Sequence, residues 1–204
     1  YAANWPDLSP AAFEARYARY AATLAQLRAI PRTGLSKADQ LNDDLFAQDF
    51  QRRLDAQPFK PWLYEAIRPR DGVQTSSELA ELLPFATVGD YEAWIARLGK
   101  MGTYIDQNIA LLQTAIREKR TQPRSIMERI PAQLAKQIPD SAEDSPFFEP
   151  FKRFPDSIGA EDRARLIGAA GRAIDERVIP AFKRLDSFFR EKYLPASRTT
   201  DGIW

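Results

Sequence analysis

The side chains that most often carry enzyme chemistry are missing: the 204 residues include no histidine and no cysteine. Disulfides, thiolate nucleophiles and zinc ribbons are thereby excluded. So is an imidazole serving as base, acid or metal ligand. What remains is oxygen and amine chemistry. Asp39, Asp43 and Asp44 form the densest acidic cluster and could offer oxygen ligands to Mg²⁺ or Ca²⁺. Neighbouring positions 43 and 44, however, point to different parts of a helix surface, which favours solvated charge. Ser36-Lys37 pairs a hydroxyl with an amine, but at a helix start the serine reads better as a cap. Glu78, Glu81, Asp140, Glu143, Asp144 and Glu149 could be paired for acid–base work; without a fold-derived distance they read as surface charge. The nine glycines are scattered, so no phosphate-cradling loop exists. No catalytic residue and no metal ligand is assigned within the chain.

Two clusters remain. Arg117, Lys119, Arg120 and Arg124 close one expected helix and open the next, where positive charge at a C-terminus gains about 0.3–1 kcal/mol from the helix dipole. The stretch Ser145-Pro-Phe-Phe-Glu-Pro-Phe151, with Phe154, brings four phenylalanines between prolines. Such a stretch more often packs under a bundle than binds a ligand, although so long an aromatic loop could line a cleft.

The elements that must position these residues are helical. Ser9-Pro10 reads as a cap and first turn, followed by Phe13, Tyr17, Tyr20, Leu24 and Leu27 on one face, with Pro31 and Gly34 as the stop. Ser36 and Asp39 resemble a capping box before Leu41, Leu45, Phe46, Phe50 and Leu54. Residues 58 to 75 read as a loop anchored by Phe59, Trp62 and Leu63, and a short helix is expected from 77 to 83. Thr87, with Asp90 three residues on, opens a helix of about seven turns to Ile116, with a bend or close contact at Gly99 and Gly102. A helix from Pro123 to Ile138 is expected to kink or break at Pro131. Residues 139 to 159 are irregular. Residues 160 to 194 form a last helix, about 50 Å long, kinked near Pro180. Together these predict an all-α fold: an irregular antiparallel helical bundle with long, proline-kinked helices, in a single domain over residues 1–204.

Composition bounds the partners. Lys and Arg total 29 against 28 Asp and Glu, a net charge of +1, which leaves no electrostatic footprint for nucleic acid or anionic lipid. No apolar run approaches the roughly 18 residues of a membrane span. The start at Tyr1 fits a processed export signal, a trimmed chain or a proteolytic fragment, and cysteine usage leaves cytoplasm and periplasm both open.

Several segments, in order, carry a resemblance: Thr87-Val-Gly-Asp-Tyr-Glu-Ala-Trp-Ile-Ala-Arg-Leu98, Ile105-Asp-Gln-Asn-Ile109, Ser145 to Phe151, Arg177-Val-Ile-Pro-Ala-Phe-Lys-Arg-Leu185 and Tyr193-Leu-Pro195. The whole chain resembles the N-terminal half of the bacterial family known as domain of unknown function 885. Members are two to three times longer, many with export or lipoprotein signals. The second half of such proteins is similar to helical zinc metallopeptidases, with a His-Glu helix for the metal. None of that motif maps here, and a terminus of Ile203-Trp204 fits an N-terminal fragment. The resemblance implies that this chain is the non-catalytic part of a zinc-dependent hydrolase or peptidase. The zinc would lie in the full-length parent, the partner would be the C-terminal catalytic half, and the substrate would be a peptide. A periplasmic or envelope-associated setting follows. On that reading the chain walls the substrate cleft through the loop Arg70-Asp71-Gly72-Val73-Gln74 and the aromatic residues Phe147, Phe148 and Phe151. The alternative is a stand-alone helical interaction or periplasmic binding protein.

Overall fold

The computed structural model describes residues 3–201; Tyr1 and the Ile203-Trp204 terminus, on which two expectations rest, lie outside the described residues. The fold is all-α: among the described residues there is no β-strand, a single bridge between Pro123 and Arg198 aside. The chain divides into two compact units, residues 8–61 and a larger body built from residues 62–204 with the leading seven residues.

The smaller unit is a helical hairpin. Helix α1 (Pro10–Arg28) starts where the Ser9 hydroxyl accepts from the Ala12 N–H, with Pro10 in the first turn. It buries Phe13, Tyr17 and Leu24. Helix α2 (Lys37–Ala56) starts on Ser36, whose hydroxyl accepts from the Asp39 N–H. The two helices pack on each other through an aromatic edge. Tyr20 lies 5.9 Å from Phe50, Phe50 lies 6.4 Å from Phe46, and the Arg53 guanidinium sits over Tyr20. Two helices can cover only one face of each other, so α2 has no fully buried residue, and Leu41, Leu45 and Phe46 stay exposed.

In the body, short helix α3 (Trp62–Glu65) buries Leu63. Residues Val73–Leu82 wind as a 3₁₀ segment, where an α-helix was expected from 77 to 83. The physical reason is local competition for carbonyls. The Thr75 hydroxyl donates to Gly72 O at 3.1 Å and the Ser76 hydroxyl to Val73 O at 2.5 Å, so side chains take up carbonyls of the tight turn. Helix α4 (Val88–Leu98) opens with a full capping box between Thr87 and Asp90. The chain then breaks at Gly99-Lys100 before α5 (Met101–Arg117), so the expected seven-turn helix is two helices. A Cβ at Gly102 would lie 3.8 Å from the Arg184 guanidinium, ordinary contact that needs no glycine. The expected 123–138 helix is likewise two short ones, α6 (Arg124–Met127) and α7 (Ile130–Ala135), with Pro131 in the first turn of the second. There its missing N–H had no partner to lose.

The C-terminal helix shows how two interior prolines are accommodated. Helices α8 (Ala160–Ala173), α9 (Ile179–Phe188) and α10 (Leu194–Ala196) run on through wider π-turns at Ile174–Val178 and Phe189–Tyr193. The Ile179 N–H bonds Ile174 O and the Leu194 N–H bonds Phe189 O, one residue further back than in an α-helix. Pro180 and Pro195 follow at once, so each missing N–H falls where the register change has already skipped a carbonyl. The buried residues Leu166, Ala170, Ile174 and Val178, then Leu185, Phe189 and Tyr193, recur every fourth position. At 3.6 residues per turn such spacing drifts by about 40° each time. A π-turn absorbs the drift and keeps the face on the core. Helix α5 packs on α9 and α4 on α8, closing a core around Trp94, Ile105, Leu112, Phe147, Phe182 and Phe189.

Candidate functional site

In the body, α4 meets the loop from Ser145 to Ile158 through side-chain-to-backbone hydrogen bonds. Ser145 caps a 3₁₀ segment, Pro146–Lys152, by accepting the Phe147 N–H. The tight winding turns Phe147, Phe148 and Phe151 inward, to 0%, 6% and 2% exposure. Trp94 Nε1 donates to Phe147 O at 3.1 Å, and the Tyr91 hydroxyl donates to Arg153 O at 3.2 Å. Farther on, the Arg163 guanidinium donates to Ile158 O and Pro155 O at 2.7 and 2.9 Å. The loop is therefore pinned at both ends and in the middle. Burial pushes the Tyr91 phenol above its ordinary range, with the neighbouring Asp90 charge adding to the effect, so it stays a neutral donor.

The outer side of this loop frames an open depression of about 540 Å³ lined by Phe85, Tyr91, Glu149, Pro150, Arg153, Phe154 and Pro155. Its floor is aromatic: Tyr91 stacks on Phe154 at 4.7 Å and meets Phe85 at 5.1 Å. Glu149 is paired with Lys152 at 2.9 Å, while Arg153 is exposed and makes no ion pair among the described residues.

The sequence-derived cleft residues divide accordingly. The 3₁₀ segment Val73–Leu82, which begins within the 70–74 loop, packs against the 146–152 segment, while the bonds of the loop itself run to Arg68 and Gln133. Phe147, Phe148 and Phe151 lie behind the surface rather than on it. Arg70 and Asp71 are exposed, and Asp71 pairs with Arg68 at 2.8 Å. Gln74 is 1% exposed: its amide donates to Arg68 O and, at 3.1 Å, to Gln133 Oε1, and its own Oε1 has no partner among the described residues. Gly72 makes room for this arrangement, since a Cβ there would sit 2.6 Å from Gln74 Oε1 and 3.0 Å from Arg68 N. Its backbone is extended, so the glycine is required by space and not by conformation. The residues sequence reasoning missed are Phe85, Tyr91 and Arg153, whereas Phe154 belonged to the aromatic stretch expected to pack or line a cleft. Tyr91 and Phe154 were legible as apolar anchors, but nothing in the sequence set Arg153 apart from other surface arginines.

The remaining clusters have structural partners. Arg32 spans Asp43 and Asp44 at 2.8 and 2.5 Å, and the bond to Arg32 holds the Asp44 carboxyl below its usual range. The Ser36 hydroxyl donates to the Asp39 carboxylate at 2.7 Å. Ser141 and Asp144 cap each other. Of the basic run, Arg120 pairs with Glu118, and Arg124 donates to Leu194 O and Pro195 O, satisfying carbonyls at the end of α10. Among the described residues no group of three or more Asp or Glu is placed to hold a metal ion. No helix there is long and apolar enough to cross a membrane. The donor set of this chain therefore does not fit zinc.

The fold is all-α, a helical hairpin and a larger helical body. The chain belongs to the family described as bacterial protein of unknown function (DUF885), which matches residues 1–203. No curated protein matches it. Among solved structures it is similar to one titled "The crystal structure of the putative lipoprotein from Colwellia psychrerythraea", at 18% identity and a TM-score of 0.72. That match covers 96% of this chain and 36% of the other, so the chain spans about a third of the length of that structure.

Proposed function

We propose that this chain is the non-catalytic N-terminal portion of a larger envelope-associated zinc-dependent hydrolase of peptidase type, in which it walls the substrate cleft. The observation that carries the reading is the mismatch in length: nearly all of this chain corresponds to only 36% of the similar lipoprotein structure. The lack of histidine and cysteine supports the same division of labour, because a zinc centre would draw its donors from elsewhere in the parent protein. Exposed Leu41, Leu45 and Phe46 on α2 support a covering partner, for which the C-terminal half of the same protein is the natural candidate. In this reading the cleft wall is formed by the segments 70–74 and 147–151, with Arg70 and Asp71 as its exposed polar residues. The lipoprotein title of the similar structure supports the envelope setting.

The test compares the full-length parent with residues 1–204 alone. The parent should carry zinc and cleave peptides in a chelator-sensitive way, and the shorter chain should do neither. Replacing Arg70 by alanine in the parent should raise KM and leave kcat unchanged, the signature of lost binding in a wall residue. Stoichiometric zinc on residues 1–204 alone would contradict the proposal.

A further inference from the structure

The depression between α4 and the 149–155 loop has the composition of a binding subsite. Its floor of half-buried Phe85 and Phe154, backed by buried Tyr91, offers flat apolar surface, and Pro150 and Pro155 form rigid walls. It is built in advance. Tyr91 holds the Arg153 carbonyl, Arg163 holds Pro155 and Ile158, and Trp94 holds Phe147, so a ligand would meet surfaces whose ordering has already been settled by folding. The Glu149 carboxylate is matched by Lys152, which leaves the Arg153 guanidinium as the uncompensated charge on the rim. A planar guanidinium recognises a carboxylate by paired hydrogen bonds.

We propose that this depression binds the C-terminal residue of a peptide, with an apolar or aromatic side chain against Phe85 and Phe154 and the free α-carboxylate on Arg153. A single rim cation beside an aromatic floor suits a ligand with one negative charge next to one bulky apolar group. It does not suit a polyanion, which requires several cations. The inference uses residues of this chain alone and stands whether or not the parent protein is a hydrolase.

The experiment titrates this chain with N-acetyl-Leu-Phe and with the same dipeptide as its C-terminal amide, following ring resonances of Phe85, Tyr91 and Phe154 by NMR. The acid should shift those resonances and bind about tenfold more tightly than the amide, the ratio expected for one charge-assisted contact. Arg153→Gln, on an exposed side chain that leaves the core intact, should abolish that difference by weakening the acid alone. Equal binding of acid and amide to the unaltered chain would overturn the proposal. An acid affinity unchanged by Arg153→Gln would do the same, as would saturation without movement of the three rings. If octanoate binds there and neither peptide does, the site is a fatty-acid site and the peptide assignment fails.

Discussion

Trp94 and Phe147 are joined twice: the indole N–H donates to the Phe147 carbonyl at 3.1 Å, and the two rings lie stacked at 6.2 Å. Both side chains are at most 1% exposed. Helix α4 and the aromatic loop are thus fixed to each other by one polar and one apolar contact. Trp94→Phe removes the donor, strands a buried carbonyl and leaves a void, which should destabilise the body by about 2–4 kcal/mol. Urea unfolding followed by circular dichroism measures this, and a loss below about 0.5 kcal/mol, the scale of a surface change, would mean the junction is not a structural anchor.

Gly72 makes a sharper steric prediction. A methyl group there meets the buried Gln74 carboxamide at 2.6 Å and backbone atoms of Arg68 and Ile67 at 3.0 and 3.2 Å. The side chain could swing away only by giving up its bonds to Arg68 and Gln133. Gly72→Ala should cost about 1–3 kcal/mol and speed amide exchange from residues 68 to 77. Gly34→Ala, which meets nothing within 4 Å, serves as the control.

The capping box of α4 gives a pH dependence. Hydrogen bonds from the Thr87 hydroxyl, the Thr87 N–H and the Ala86 N–H lower the Asp90 pKa in the folded state. A depressed folded pKa contributes stability that is present above the unfolded value, near 4, and lost as pH falls through the folded value. The Tm difference between the parent chain and Asp90→Ala should therefore be largest at neutral pH and shrink below pH about 4. A difference independent of pH would assign the effect to packing.

Tyr193 works in the opposite direction. Burial, first among the causes, pushes its phenol up to about 12, against the opposing bond from the Gln122 N–H. A raised folded pKa contributes stability that is complete below the unfolded value, near 10, and lost as pH rises toward the folded one. Alkaline unfolding should set in between those values, and Tyr193→Phe should lessen the pH dependence there while weakening the fold by about 1 kcal/mol at neutral pH through the lost bond.

For the C-terminal helix, Pro180→Ala tests whether the π-turn has already absorbed the proline. An interior proline in a regular α-helix costs about 3 kcal/mol. Because the Ile179 N–H already reaches back to Ile174 O, its replacement should change stability by less than about 1 kcal/mol. A gain near 3 kcal/mol would show that the π-turn is a distortion imposed by Pro180 and not a fit to the buried spacing.

Much of the secondary structure was legible because its causes are local. Ser9, Ser36 and Thr87 each announce a helix through a hydroxyl that accepts an early N–H, and the apolar recurrence on α4 and α5 follows the helical period. Pro131 was readable as a kink or break and Gly99 as a bend, although not that the chain at Gly99 would end one helix before the next begins. The 3₁₀ winding at Val73–Leu82 was not legible: it depends on serine and threonine hydroxyls choosing backbone carbonyls over water, a choice that burial of Ser76 and Ser77 settles. The aromatic loop was legible as apolar but not in its orientation, since a 3₁₀ turn sends Phe147 and Phe151 inward and leaves Glu149 and Arg153 outside.

By itself the sequence determined the chemistry open to the chain and its helical class. Residue identity fixes which donors exist, and hydrophobic period and caps act over a single turn. Only the tertiary structure decided that Phe85 and Phe154 share one floor over buried Tyr91, that Arg153 stands on its rim with no ion pair among the described residues, and that Gln74 is sealed inside. Those facts depend on packing between segments distant along the chain, where close contact and loss of water determine which side chains remain available.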